Sequence, residues 1–333
     1  MRQIIYRIGI GCQLLLAVMA MHSHAETDNY GNHPQVSAFI DEMVAQHGFE
    51  REPLVRLFRD TQHNERVIEL ITSPAEAKPW REYRPILVTE QRTKQGVAFM
   101  RENRETLVRA EQTYGVPAEI IVAIIGAETR YGRVTGSYPV VEALATLAFD
   151  YPRRAEFFRK ELKEYLILTR EEEIDPRSLK GSYAGAMGYG QFMPSSFRAY
   201  AVDFDNDGHK DIWHNPVDAI GSVANYLYRH GWQQNGLVTE KAVPEGNSFE
   251  ALLVKQRKDL VPKRTLAELI EKGFKPQNEL PLQQPATAIH LEGAEGDEYW
   301  VGLHNFYVIT RYNHSALYAM AVYQLSQEIA KRS

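Results

Sequence analysis

Glu128 stands apart from the other acids of this chain, near the end of the stretch VPAEIIVAIIGAETRYG. Ile121, Ile124 and Ile125 precede it at spacings of three and four, which puts all four residues on one helix face. A carboxyl group that ends an isoleucine stripe faces an interior or a cleft wall. Desolvation there disfavours the charged form and raises the pKa. A carboxylic acid still protonated near neutral pH can give its proton to a leaving oxygen. The bland alternative is a helix-end glutamate paired with Arg130 or Arg133. No second acid is tied to Glu128 by local spacing.

Further on comes GSYAGAMGYGQFMPSSF, punctuated by Gly181, Gly185, Gly188 and Gly190. Glycines let a backbone turn sharply and approach a ligand closely. Ser182, Tyr183 and Gln191 offer donors and acceptors, and Tyr189 and Phe192 are placed to stack on rings. Tyr131, Trp213 and Trp232 are weaker stacking candidates, because burial is the commoner role of an aromatic. The alternative for the loop is a tight structural connection. The Gly-Lys-Ser/Thr ending of a phosphate loop is absent. One acid facing a rigid polar loop implies acid catalysis on a glycan without the usual pair of carboxylates.

A third constellation, DFDNDGHKDIW, reads as a calcium loop. Asp203, Asp205 and Asp207 take positions 1, 3 and 5, Gly208 position 6, His209 position 7 and Asp211 position 9. Position 7 gives a backbone carbonyl, so the imidazole of His209 is not needed. His214 stands at position 12 in place of the usual glutamate, and Asp218 is the best substitute. Asp218 also suits the first turn of a helix over PVDAIGSVANYLYRHG. The alternative is a solvated turn. The ion is expected to be structural, because four carboxylates close together repel without it. The eleven histidines show no HExxH spacing, and Glu171, Glu172 and Glu173 read as a solvated helix face.

These groups need a scaffold, and the composition supplies one. Of the 333 residues 44% are hydrophobic and 24% charged, an ordinary globular balance with length for about two domains. A net charge of −5 with no long basic run argues against nucleic acid as the main partner. Arg2 and Arg7, then IGIGCQLLLAVMAM, then Ser23, His24 and Ala25 read as a secretory signal over residues 1–25. Without it Lys and Arg fall from 38 to 36 against 43 acids, a mature charge of −7. Cys12 is the only cysteine; most of the apolar run follows it and Gly9 stands three residues before it, so lipid attachment is disfavoured. If cleavage follows Ala25, thiol chemistry is excluded.

Residues 26–34 read as a leader, and helical periodicity runs from Val36 to about Tyr114. The first helix stops near Gly48. Pro74, Pro79 and Pro85 are expected to interrupt the pattern, and Gln91 to Tyr114 reads as one long helix. Pro117 suits the first turn of the Glu128 helix. After Trp232 come the β-like runs ATAIHLEG and EYWVGLHNFYVIT, with RTLAELIEKG as a helical piece. SALYAMAVYQLSQEIAKR closes the chain as an amphipathic helix, with Leu317, Met320, Ala321, Leu325 and Ile329 on one face.

Taken in order, ETRYG, YPRR, GAMGYGQFMPSS, NPVDAIGSVANY and FYVITRYN resemble the lytic transglycosylase B family of bacterial peptidoglycan-cleaving enzymes. The resemblance runs from about residue 36 to the C-terminus. It implies an α+β, predominantly α, fold: a lysozyme-like catalytic core with an N-terminal helical domain and a small antiparallel β domain. Boundaries are then 26–113 for the helical domain and 114–234 for the core with its calcium loop. The β-containing part spans 235–304, and 305–333 completes the cleft and packs on the helical part.

By the same resemblance Glu128 is the single acid/base. Ser182 and Gln191 hold the sugar beside the scissile bond, while Arg153 and Arg154 meet lactyl or peptide carboxylates. Tyr226, Tyr312 and Asn313 form the remaining wall, with Tyr183, Tyr189 and Phe192 in the loop. Asp218 matches a family calcium ligand beside Asp203, Asp205, Asp207 and His209. The implied reaction cleaves the bond between N-acetylmuramic acid and N-acetylglucosamine without water and leaves 1,6-anhydromuramic ends. Calcium, a periplasmic location, a monomer and partners in wall synthesis or lysis complete the expectation. Two alternatives remain in view. One is a hydrolytic muramidase that recruits Asp150 or Glu156 as a second carboxylate. The other is a wall-binding scaffold without catalysis.

Overall fold

The computed structural model describes residues 29–73 and 78–333. The expected signal over 1–25, with Cys12, lies outside the described residues, as does Pro74. The architecture is α+β and predominantly α.

Among the described residues six helices come first: α1 (Pro34–His47), α2 (Arg51–Asp60), α3 (Glu65–Thr72), α4 (Trp80–Leu87), α5 (Glu90–Glu102) and α6 (Arg104–Tyr114). Val36, Phe39, Ile40 and Met43 form the buried stripe of α1, and the helix ends where Gly48 takes φ 64. Two expectations need correction. Pro85 lies inside α4 rather than interrupting it. The lost backbone hydrogen bond is tolerated in a short helix that is pinned by packing against the C-terminal helix. The stretch from Gln91 to Tyr114 is two helices, not one, because Asn103 breaks it with φ −113 and ψ 24. Its side-chain amide donates to the Phe99 carbonyl at 2.9 Å, so a local hydrogen bond competes with the helix.

The next helix, α7 (Ala118–Thr129), is the spine of the molecule. Every residue from Ile120 to Gly126 is buried, the mark of a helix surrounded on all sides. It is packed by α5 and α6 and by two later helices, α11 (Pro216–Arg229) and α14 (Ala316–Ala330). Pro117 stands just before its first turn, as its N-cap. A hairpin of α8 (Val140–Phe149) and α9 (Ala155–Glu171) follows, and α10 (Pro194–Tyr200) rests on α9. Two short strands, β1 (Tyr138–Pro139) and β2 (Lys180–Gly181), pair antiparallel and fasten the α7 exit to the glycine loop.

A separate small core holds Phe249, Leu266, Leu269, Phe274 and Val301. It lies in the segment of β3 (Thr239–Pro244), β4 (Arg264–Thr265), α12 (Leu266–Glu271), β5 (Phe274–Pro276), β6 (Pro285–Gly293) and β7 (Gly296–Gly302). The strands form one antiparallel sheet in the order β4-β6-β7-β3-β5. Trp300 is opposite both Ile289 and Lys241. Only the first half of EYWVGLHNFYVIT is strand. From His304 the chain is α13 (His304–Tyr312), because Asn305, Phe306, Val308 and Ile309 are buried at helical rather than alternating spacing. Among the described residues no helix is long and apolar enough to cross a membrane.

Candidate active site

Glu128 lies in the last turn of α7, on the buried face that the isoleucines set. The chain then leaves the helix sharply. Arg130, Tyr131 and Gly132 take φ 52, 62 and 80 in succession, a left-handed run that costs energy for the two non-glycine residues. Thr129 stabilises the exit. Its hydroxyl accepts from the Gly132 amide at 3.0 Å and can donate to the Tyr189 carbonyl at 2.9 Å. The end of α7 is thereby locked to the glycine loop.

The surroundings of Glu128 are phenolic and apolar. Tyr318, on α14, donates to Glu128 Oε1 at 2.6 Å. Burial pushes the Glu128 carboxyl up to about 7, and the Tyr318 hydrogen bond only partly opposes it. The phenols of Tyr83, Tyr312 and Tyr318 are themselves raised, first by burial and then by the nearby Glu128 charge. Among the described residues Glu128 forms no ion pair, so the pairing with Arg130 or Arg133 is not made. Sequence reasoning missed Tyr83 and Tyr318. The signal for Tyr318 was available: it falls three residues before Ala321 and seven before Leu325, on the buried stripe of α14, where a phenol needs a partner.

The glycine loop folds back on itself through paired bonds between Met187 and Phe192, each 2.9 Å. Gln191 takes φ 50 at the reversal. Its side-chain nitrogen donates to the Thr135 and Gly188 carbonyls at 3.0 Å each, which leaves the amide oxygen to accept from a ligand. Ser182 Oγ accepts from the Ala186 amide at 3.0 Å and keeps a hydroxyl proton to donate. Gly136, at φ 103, abuts this loop so closely that a Cβ there would stand 2.0 Å from the Gly181 carbonyl carbon. Only glycine fits.

Helices α11 and α13 pack directly against this loop. Tyr312 donates to the Gly190 carbonyl and Tyr226 to the Arg311 carbonyl, both at 2.6 Å. Their rings meet 4.7 Å apart in a T-shaped arrangement. Phe192 is 3% exposed and packs under both, so it supports the wall and presents no free face. Tyr131, with its hydroxyl bonded to the Arg92 carbonyl, and Trp232 are likewise buried. Trp213 leans on Phe197. Tyr183 is exposed, Tyr189 is half-buried against Phe99, and Asn313 is exposed at the C-cap of α13. Arg153 and Arg154 are exposed in the turn between α8 and α9, with the Arg154 guanidinium 4.3 Å from the centre of the Phe157 ring. Among the described residues no hydrogen bond or ion pair joins either arginine to Glu128.

The two carboxylates considered as a second catalytic group are engaged elsewhere. Asp150 accepts from Tyr30 at 2.5 Å and lies 2.9 Å from His63 Nδ1. Glu156 is exposed and pairs with Lys160 at 2.9 Å.

In the aspartate loop, Asp203, Asp205 and Asp218 each offer an oxygen within 4.8 Å of the others. Asp218 is buried and accepts from the Phe204 and Asp211 amides at 2.7 and 2.8 Å. Burial raises its pKa first, and repulsion from Asp205 and Asp203 adds to the rise. Asp207 and His209 are outside this trio. The Asp207 carboxylate accepts from the His209 amide at 2.9 Å, and His209 is exposed. Asp211 accepts from the Trp213 and His214 amides. Glu171 and Glu172 are not a merely solvated face. Glu171 pairs with Arg198 at 2.8 Å, and Glu172 accepts from both the amide and the ammonium of Lys210 at 3.1 Å, clamping α9 to the loop.

Comparison with known proteins accords with this geometry. Residues 31–327 match the model of the family described as the transglycosylase SLT domain. The chain is 45% identical over 316 residues to the membrane-bound lytic murein transglycosylase B of Escherichia coli K12, covering 91% of this chain and 84% of the relative. Among solved structures it is similar to catenated lytic transglycosylase SltB1 from Pseudomonas aeruginosa, at 54% identity and TM-score 0.89. That match covers 91% of this chain and 99% of the other. It is also similar to the Escherichia coli lytic transglycosylase Slt35 in complex with calcium. There the identity is 44% and the TM-score 0.82, over 92% of this chain and 97% of the other.

Proposed function

The chain belongs to the transglycosylase SLT family and is a peptidoglycan lytic transglycosylase with a lysozyme-like core, and from that premise we propose that Glu128 alone performs the proton transfers. The enzyme cleaves the β-1,4 bond between N-acetylmuramic acid and N-acetylglucosamine without consuming water, forming 1,6-anhydromuramic ends. The observation that carries the assignment is a carboxyl held at about 7 by burial, with a phenol and no cation as its partner.

The steps balance on this one group. Protonated Glu128 donates to the glycosidic oxygen as the bond from that oxygen to the muramic anomeric carbon breaks. The muramic 2-acetamido oxygen shares the positive charge at that carbon. Anionic Glu128 then takes the proton of the same sugar's 6-hydroxyl as O6 bonds to the anomeric carbon, which restores the acid. Well-oriented internal attack reaches effective molarities of roughly 10⁵ M or more, which favours O6 over water. The engagement of Asp150 with Tyr30 and His63, and of Glu156 with Lys160, supports a mechanism without a second carboxylate.

Ser182 and the Gln191 amide oxygen bind the sugar beside the scissile bond, and Tyr226 and Tyr312 build the remaining wall. Tyr183, Tyr189 and Asn313 contact substrate at the rim, with Phe192 beneath. Arg153 and Arg154 meet carboxylates of the strand from their exposed turn. The segments 26–113, 114–234, 235–304 and 305–333 act as helical, catalytic, β-containing and cleft-closing units.

Calcium would be held by Asp203, Asp205 and Asp218, with Asp207 and the His209 carbonyl joining when it binds. Three carboxylates whose oxygens converge within 4.8 Å fit a divalent ion that supplies structure and no chemistry. The amino-terminal pattern of Arg2, Arg7 and the apolar run supports export to the periplasm.

The test is digestion of purified peptidoglycan with mass analysis of the released muropeptides. Products one water lighter than reducing-end muropeptides, released by the parent and not by Glu128→Gln, are expected. Undiminished release by the variant would refute the assignment.

A further inference from the structure

A cavity of about 330 Å³ lies between the short 3-10 turn Arg257–Leu260 and the end of α13. Arg257, Lys258, Arg311 and His314 line it, over an apolar floor that includes Leu260 and Val261. Among the described residues none of these four basic side chains forms an ion pair, although the chain as a whole is acidic at −5. The nearest acid in sequence, Asp259, is turned to its own loop, where it accepts from the Lys255 and Gln256 amides at 3.2 and 3.1 Å. His314 is held below its ordinary value by burial first and then by the Arg257 and Arg311 charges. The positive field extends to His230, which stacks on Tyr226 at 4.1 Å and is depressed by burial and by Arg311 and Arg229.

The cavity is one residue from the cleft. Arg311 precedes Tyr312, whose hydroxyl holds the glycine loop and whose phenol senses the Glu128 charge. Like charges gathered without a counterion repel, and an anion from outside relieves that repulsion. Guanidinium groups suit a carboxylate because they can grip both of its oxygens. An apolar floor suits the short side chain beside such a carboxylate.

We propose that this cavity takes a free carboxylate of the peptide carried by the muramic residue, so that α13 and the 3-10 turn read the peptide while Glu128 acts on the glycan. The inference rests on the lytic transglycosylase reading and adds a specificity site separate from Arg153 and Arg154, which do not line this cavity.

The experiment compares glycan strands bearing free peptide carboxylates with the same strands after conversion of those carboxylates to amides. The parent, Arg257→Glu and Arg257→Lys are assayed on both. Arg257 is exposed, so the variants should fold, and melting curves verify it. The Glu variant is expected to raise KM about tenfold on free-carboxylate strands, or ~1.4 kcal/mol of binding, with kcat unchanged. On amidated strands it should match the parent, and the Lys variant should recover most of the loss. An equal KM change on both substrates, or none on either, overturns the carboxylate site. Absence of anhydro products from the parent would instead overturn the reaction reading beneath it.

Discussion

Two groups of carboxylates in this molecule share a chemistry and have opposite fates. Glu128 is alone, half-enclosed among tyrosines, and its proton is retained to about 7. Asp203, Asp205 and Asp218 are gathered within 4.8 Å, and backbone amides point at them. Isolation in an apolar wall makes a proton donor, because the penalty falls on the charged form. Crowding beside amide donors makes a cation seat, because the same repulsion is relieved by a divalent ion. Surroundings, and not residue type, assign the two roles.

The largest effect that would break this contrast is catalytic. Glu128→Gln keeps the shape and loses the proton, and lytic turnover should fall by roughly 10²–10⁴, the usual worth of a general acid. Asp218→Asn should retain turnover while calcium is absent from the chemistry. Comparable losses in kcat from both variants, measured on the same wall preparation, would erase the distinction.

Next is stability. The folded value of Glu128, about 7, lies above the ordinary 4.5, so the folded state binds the proton more tightly than the unfolded chain. Any cost is absent below the unfolded value and grows until pH passes the folded one. Removing the charge should therefore stabilise the protein at pH 8 by at most about 3 kcal/mol, reduced by the remaining solvent access, and hardly at all at pH 4. Melting curves of Glu128→Gln at the two pH values check the sign. A gain only at pH 4 would mean that the environment favours the anion.

Calcium sharpens the other side. At a hundredfold excess over Kd, a bound ion stabilises by about 2.7 kcal/mol, and chelation should lower Tm accordingly. In Asp218→Asn the response to chelation should shrink or vanish. An unchanged Tm in the parent would sink the structural ion.

The smallest effect concerns Tyr318. Its hydrogen bond favours the Glu128 anion, so Tyr318→Phe should move the alkaline limb of the pH–rate profile upward, by up to about one pH unit. A downward shift would show that the phenol stabilises the protonated form instead.

Much of this was legible in the chain. The isoleucine stripe placed Glu128 on a buried face, Gly48 stopped α1, and the aspartate spacing marked a loop that does bring three carboxylates together. What was hidden depends on distant contacts. Tyr83 and Tyr318 come near Glu128 only because α14 packs beside α7 and α4 packs on α14, and no local spacing announces that. The break at Asn103 turned on one side-chain bond to Phe99. The helical half of EYWVGLHNFYVIT was disguised by β-branched and aromatic residues, which fit a strand as readily as the buried face of α13. Glu171 and Glu172 read as solvated because Arg198 and Lys210, their partners, lie well downstream.

The most direct measurement is the titration of the Glu128 carboxyl carbon by NMR, in protein with labelled glutamate, assigned by its absence in Glu128→Gln. A midpoint near 7 is expected. A midpoint in the ordinary carboxylate range, near 4.5, would leave Glu128 ionised at neutral pH and contradict its role as the acid.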